Sequence, residues 1–289
     1  MQRSASPDGP GRAGADWTLE VDLGLAGANV VIAGGTKGMG LAAAECFAED
    51  GANVAVLARR QGPLDEALAS LRALGSPDPI AVQTDLSNAE SIEAAFATIG
   101  ERWGGRVNSL VNAVGPGSQG NVEQVTDEAW FEAIEIGALS AVRCVRAVLP
   151  MMRAAEWGRI VNVSAHSTKR QTAGLIAYTA AKSALTSISK NLSLHLAPEE
   201  ILVNTVSPGT FLSEGLLTYI ESLPPERNVD SSNLYDAMRA ISEDFGHPAQ
   251  MPRAGDPKEI GAVIAFVGSR RNSYMTGANI NVDGGSDFT

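Results

Sequence analysis

Tyr178 and Lys182 stand four residues apart in the stretch LIAYTAAK. On a helix that spacing puts both side chains on one face. A phenol beside an ammonium is a proton-transfer couple. A free Tyr, with a pKa of about 10, is a poor base at neutral pH, and a nearby Lys⁺ lowers that value. The couple can give a proton to a carbonyl oxygen or take one from an alcohol. Its usual companion is an upstream hydroxyl that holds the substrate oxygen, and here Ala165 fills that place, in NVSAHSTK. Ser164, His166 and Ser167 surround it as replacements, and Ser164 and His166 join Tyr178 and Lys182 in the candidate catalytic set. Loss of one such donor costs a few kcal/mol, roughly a hundredfold or more in rate.

A second cluster has the means to hold an anionic cofactor. ANVVIAGGTKGMGLAAAECF reads as a strand, a Gly-rich turn and a helix. Gly34, Gly38 and Gly40 allow a tight turn, let a pyrophosphate approach the backbone, and let the helix pack near the strand. The helix N-terminus then offers unpaired N–H groups. Thr36, Lys37 and Met39 complete the turn, whose spacing is GxxxGxG rather than GxGxxG. The next β-rich run, NVAVLARR, ends in Ala58, Arg59 and Arg60, where readers of NAD place an acid. With Lys37, these cations suit a 2′-phosphate held through charge-assisted bonds, so the expected cofactor is NADP(H). Asp85, followed by Leu86, closes the third strand and is placed either to accept from an adenine amine or to cap a helix. Asn112 and Gly115 end the fourth strand beside the same groove.

The elements that must position these groups alternate in type. Strands are expected over Asn29–Ala33, Asn53–Ala58, Ile80–Thr84, Ser109–Val114, Arg159–Val163, Leu202–Val206 and Asn279–Val282. Most are continuous apolar runs, the pattern of parallel strands covered on both faces. Helical patterns fall at Gly38–Asp50, Pro63–Leu74, Asn88–Trp103, Asp127–Ala154, Leu175–Leu196 and Pro257–Gly268. The alternation predicts a single α/β domain with a doubly wound parallel sheet. One segment breaks the rhythm. Residues 210–252 carry two amphipathic patterns, FLSEGLLTYIESL and LYDAMRAISEDF, where a short connection would do. A helical lid over the substrate is expected there, with Leu212, Leu216, Leu217, Tyr219 and Leu223 as wall residues.

Composition sets the outer limits. A net charge of −11 argues against nucleic-acid and anionic-membrane partners, since an acidic surface attracts neither. Hydrophobic residues at 44% supply a full core. Cys46 and Cys144 lie in apolar helical patterns and read as buried thiols of a reducing compartment rather than as catalysts or a disulfide. No metal is expected. No run approaches the roughly 20 apolar residues of a membrane span. Residues 1–20, rich in Gly, Pro, Ser and Ala, read as a disordered tail rather than a secretory signal, ahead of a domain over 21–289. A cytoplasmic location is expected.

GGTKGMG, DL at Asp85, NAVG at Asn112, Tyr178-x-x-x-Lys182, SPGT and TGANINVDGG occur in that order. In these motifs the chain resembles the short-chain dehydrogenase/reductase family, from about residue 24 onward. The resemblance implies a Rossmann-type sheet of about seven strands, a homotetramer or homodimer, and hydride transfer between NAD(P) and a carbonyl or alcohol. It implies Tyr178 as general acid/base, Lys182 as the group that lowers its pKa and bonds the nicotinamide ribose, and Pro208, Gly209 and Thr210 beside the nicotinamide. Two departures stand out. The family's substrate-orienting Ser aligns with Ala165, and its proton-relay Asn with Gly137, for which Ser140 one turn on is a polar substitute. The expected activity is NADP(H)-dependent oxidoreduction of a carbonyl or alcohol in a medium-sized, largely apolar small molecule. The alternatives are another reaction on the same scaffold (isomerisation, dehydration or C=C reduction) and non-catalytic NADPH binding.

Overall fold

The computed structural model describes residues 22–117, 119–246 and 249–286. The tail expected over residues 1–20 lies outside them. Seven strands form one parallel sheet: β1 Asn29–Ala33, β2 Asn53–Ala58, β3 Ile80–Gln83, β4 Ser109–Asn112, β5 Gly158–Val163, β6 Ile201–Pro208 and β7 Asn279–Val282, in the order β3-β2-β1-β4-β5-β6-β7. Helices α1 (Gly38–Glu49), α2 (Gln61–Ala73) and α3 (Ala89–Arg102) follow the first three strands. Then come α4 (Asp127–Ile134), α5 (Ser140–Arg153) and α6 (Ile176–Leu196), and after β6 α7 (Glu214–Ser222), α8 (Leu234–Phe245) and α9 (Pro257–Val267). This is the doubly wound architecture that the alternation predicts.

Each central strand feeds two cores because successive side chains point to opposite faces. On β1, Val30 and Ile32 join Phe47, Leu64, Leu71, Ile260 and Ile264 on one face. Val31 and Ala33 join Ile92, Phe96, Ile99, Cys144 and Val148 on the other. Small residues let the helices approach closely: a Cβ on Gly261 of α9 would stand 2.8 Å from the Ala42 carbonyl oxygen of α1. The two cysteines are free thiols, and burial pushes Cys46 up to about 11 and Cys144 up to about 12, so both stay protonated. Among the described residues no helix is long and apolar enough to cross a membrane.

The strand order switches at β1, which pairs with β2 on one side and β4 on the other. Chains leave the sheet in opposite directions there, opening a crevice at the strands' carboxyl ends. Strands three and four end earlier than their apolar runs suggest, at Gln83 and Asn112 rather than Thr84 and Val114. The Val114 carbonyl turns out of the ladder and accepts from Lys182 Nζ at 2.8 Å.

The helix expected over Asp127–Ala154 is not continuous. A single π turn, Glu135–Leu139, separates α4 from α5. Gly137 lies in that turn with its Cα pressed on α6: a Cβ there would be 2.7 Å from Ala181 Cβ and 3.2 Å from Pro116 Cδ. The widened turn brings backbone where a side chain would not fit.

Within the insertion over residues 210–252, the described residues include α7 and α8, which pack on a small core of Leu216, Ile220, Ala237, Met238 and Ala254. Ser213 and Asn233 cap the two helices through side-chain oxygens. Tyr219 of α7 donates its hydroxyl to Asp244 of α8, and Arg227 pairs with Glu243 and Asp244, which ties the helices together.

Candidate functional site

Three connected spaces open at the carboxyl ends of the strands. The first, of about 630 Å³, is lined by Gly34, Thr36, Lys37, Ala58, Arg59, Arg60, Thr84 and Leu86, with Glu214 at its edge. The turn above it needs its glycines. Gly34 has φ +85° and Gly38 φ +52°, and a Cβ on Gly40 would stand 2.1 Å from the Gly34 carbonyl oxygen. No side chain caps the N-terminus of α1, so its first-turn N–H groups are left for an incoming anion. Three cations and a helix N-terminus with no acid on β2 are the donor set of a phosphate-rich ligand, and they fit NADP(H).

The second space, of about 670 Å³, adjoins the first through Pro116, Gly117, Gln119 and Glu214. Tyr178, Ala165, His166, Ser167, Met39, Pro208 and Gly209 line it. A third, of about 250 Å³, extends beneath α7 and α8 and is largely apolar, with Leu175, Phe211, Leu216, Tyr219, Ile241 and Phe245 in its wall together with Thr210.

Lys182 is buried. Its Nζ donates to the Val114 and Val163 carbonyls at 2.8 and 2.7 Å, bridging the ends of β4 and β5. A neutral amine has enough N–H groups for both bonds, and burial pulls the Lys182 pKa down to about 7. Burial also pushes Tyr178 up to about 12. This corrects the expectation that a Lys182 ammonium lowers the tyrosine: in this site desolvation governs both groups. Tyr178 therefore holds its proton at neutral pH. Gly115 brings the two together, since a Cβ on it would stand 3.4 Å from Lys182 Nζ and 3.8 Å from Tyr178 Cε2.

The residues around Ala165 divide. Ser164 does not reach the chamber. It is buried, with Oγ donating to the Lys182 carbonyl at 3.1 Å and 2.8 Å from Thr186 Oγ1, because extended backbone at the end of β5 turns alternate side chains towards α6. His166 does line the chamber, its Nδ1 3.1 Å from the Pro208 carbonyl oxygen. That carbonyl only accepts, so Nδ1 carries the proton in this contact. Ser167 also lines it, and its buried Oγ has no hydrogen-bond partner among the described residues. Ser140 is no substitute for the missing amide at Gly137, since its Oγ donates to the Ile136 carbonyl at 2.7 Å.

Two further residues do not line the cation-rich cavity. Asn112 points across the sheet, donating from Nδ2 to Asn162 Oδ1 at 2.8 Å, and Asn162 donates on to Ser189 Oγ at 2.8 Å. Its place on the ladder opposite Asn162 fixes that direction. Asp85 stands exposed, its Oδ1 accepting from the Ser87 amide and hydroxyl at 3.0 and 2.7 Å, bonds that hold its carboxyl below the usual range. Leu86 beside it does face the cavity. Of the five wall residues expected on the insertion, Leu216 and Tyr219 face the apolar chamber. Leu212 packs into the insertion's own core, while Leu217 and Leu223 face other grooves.

Sequence reasoning missed Gln119, which borders all three spaces, and Glu214, which borders two. Gln119 carries no local pattern that marks it. Glu214 was recognisable as a first-turn acid but not as a neighbour of Lys37.

Comparison with known proteins agrees with this geometry. Residues 33–287 match the family model described as enoyl-(acyl carrier protein) reductase. The chain is 30% identical to the uncharacterized oxidoreductase YvrD of Bacillus subtilis over 92% of its length and 98% of that protein. It is 30% identical to the 3-oxoacyl-[acyl-carrier-protein] reductase FabG of Vibrio cholerae over 91% and 98%. Its fold superposes with a TM-score of 0.86 on L-sorbose reductase from Gluconobacter frateurii, solved with NADPH and L-sorbose, at 29% identity over 93% of this chain and 100% of that one.

Proposed function

The chain belongs to the short-chain dehydrogenase/reductase family and is an oxidoreductase that binds NADP(H), and from this premise we propose that it reduces a carbonyl in a medium-sized, largely apolar substrate. The observation that carries the reading is the place of Tyr178, in a chamber that opens on one side to the cation-lined cavity and on the other to an apolar space.

Gly34, Thr36, Lys37, Gly38, Met39, Gly40, Arg59, Arg60 and Leu86 hold the nucleotide end of the cofactor in this reading. Gly115, Lys182, Pro208, Gly209 and Thr210 border its reactive end, and when bound it supplies the hydride that reaches the carbonyl carbon. Tyr178 gives its proton to the oxygen as the C–O π bond breaks, and the product is the alcohol. A phenol pushed up to about 12 by burial is protonated at neutral pH and so in the form that donates to the developing alkoxide. His166 takes the place of the hydroxyl absent at Ala165. Residues 210–252 act as the cover that keeps water from the chamber, and assembly as a homodimer or homotetramer is part of the same reading.

The test is NADPH consumption over a panel of aliphatic, aromatic and hydroxylated ketones and 3-oxoacyl thioesters. Alcohol formation on at least one class is expected. Replacing His166 with Ala should slow that turnover roughly a hundredfold at unchanged NADPH affinity, the scale of one lost oxyanion donor. Turnover of the variant equal to the parent would remove His166 from the reaction. A second reading, reduction of an activated C=C, is favoured by Ala165 itself, where no hydroxyl stands to hold a ketone oxygen.

A further inference from the structure

Glu214 sits where an NADP(H) site has no obvious use for an acid. It opens α7, behind the Ser213 cap. Its Oε1 accepts from Lys37 Nζ at 2.5 Å and lies 3.8 Å from Arg60 Nη2. The insertion thus reaches back over the Gly-rich turn and neutralises two of the three cations that line the cofactor cavity. Lys37 holds the Glu214 carboxyl below the usual range, so it is ionised at neutral pH. Glu214 also lines the adjoining chamber that contains Tyr178, so one side chain touches both spaces.

A phosphate and a carboxylate compete for the same ammonium, and each disfavours the other at close range. A ribose hydroxyl does not compete. It is neutral, and it can donate to the carboxylate. We propose that Glu214 is a specificity-determining counterion, borne on the substrate cover, that the 2′-phosphate of NADP(H) must displace from Lys37 and Arg60. The inference rests on the NADP(H) reading and goes beyond it in two ways. Glu214 weakens the preference for NADP(H) over NAD(H) that the three cations set. Entry of the phosphate also unfastens the first turn of α7, which links the choice of cofactor to the position of the cover.

Calorimetric titration of the parent protein and of Glu214→Gln with NADPH, NADH, 2′,5′-ADP and 5′-AMP tests this without turnover. Glu214→Gln should bind NADPH and 2′,5′-ADP about fivefold tighter, the upper scale of an exposed ion pair, and should bind NADH and 5′-AMP no tighter. Hydrogen exchange gives a second reading. The amides of Leu216 and Leu217 should exchange faster in the parent with 2′,5′-ADP than with 5′-AMP, and this difference should vanish in Glu214→Gln. An unchanged NADPH-to-NADH affinity ratio, or equal tightening of both, overturns the proposal. Failure of the parent to prefer NADPH at all would instead overturn the cofactor reading on which it stands.

Discussion

Tyr178→Phe is expected to slow carbonyl reduction by about a thousandfold, within the range that a positioned general acid contributes. The substitution removes one oxygen and keeps the ring that packs beside Gly115 and Lys182. NADPH affinity should therefore stay within about twofold, and the loss should fall on kcat, the mark of an interaction used only in the transition state. Single-turnover oxidation of NADPH at saturating substrate measures the step directly. The argument depends on the protonation state. A tyrosine held near 12 by burial is a ready donor at pH 7, whereas as a base it is almost never in the required form. Hence the reverse reaction, alcohol oxidation, should climb with pH well beyond neutrality. A Tyr178→Phe enzyme that reduces its substrate at the parent's rate would mean that the proton comes from elsewhere.

Gly40→Ala should damage the cofactor site more than any charge change around it. The added methyl would lie 2.1 Å from the Gly34 carbonyl oxygen and 3.2 Å from Ala113 Cβ. Neither contact is with the far end of a flexible chain, so α1 must move away from β1. That move opens the close packing of α1 on α9, where Gly261 meets Ala42. A cost of about 3 kcal/mol in stability is expected, at the upper end for overpacking. Displacement of the α1 N-terminus should weaken NADPH at least about tenfold, since its N–H groups no longer face the cavity. Thermal unfolding and a fluorescence titration read the two effects separately. By contrast, Gly38 has open space around its Cβ position, and only its positive φ resists substitution there.

The sheet was legible because its strands are short apolar runs between turn glycines, and three of them begin and end where the sequence places them: Asn29–Ala33, Asn53–Ala58 and Asn279–Val282. What was not legible depends on packing between distant segments. The π turn at Glu135–Leu139 looks like ordinary helix in sequence, because the residues that crowd Gly137 there, Ala181 and Pro116, come from other segments. Around the site, motif spacing placed Tyr178 and Lys182 on one helical face but not the depth at which they lie. Burial then moved both pKa values opposite to the simple charge argument. Ser164 looked available from its position in the chain, yet strand alternation turns it to α6, while Ser167, three residues on and within a 3₁₀ turn, meets the chamber. Asn112 is aimed by its ladder partner Asn162, and Glu214 lies next to Lys37 only once the insertion folds back. Neither relation leaves a local trace.

The central claim is hydride transfer to a carbonyl carbon with Tyr178 supplying the oxygen's proton. NADPH carrying deuterium at the transferable position of nicotinamide C4 tests it most directly, with products analysed by mass spectrometry and NMR. One deuterium on the carbinol carbon of a new alcohol, with label transfer slowed about a thousandfold in Tyr178→Phe, is the result expected. Deuterium on the saturated carbon β to an intact carbonyl would contradict it and establish C=C reduction instead.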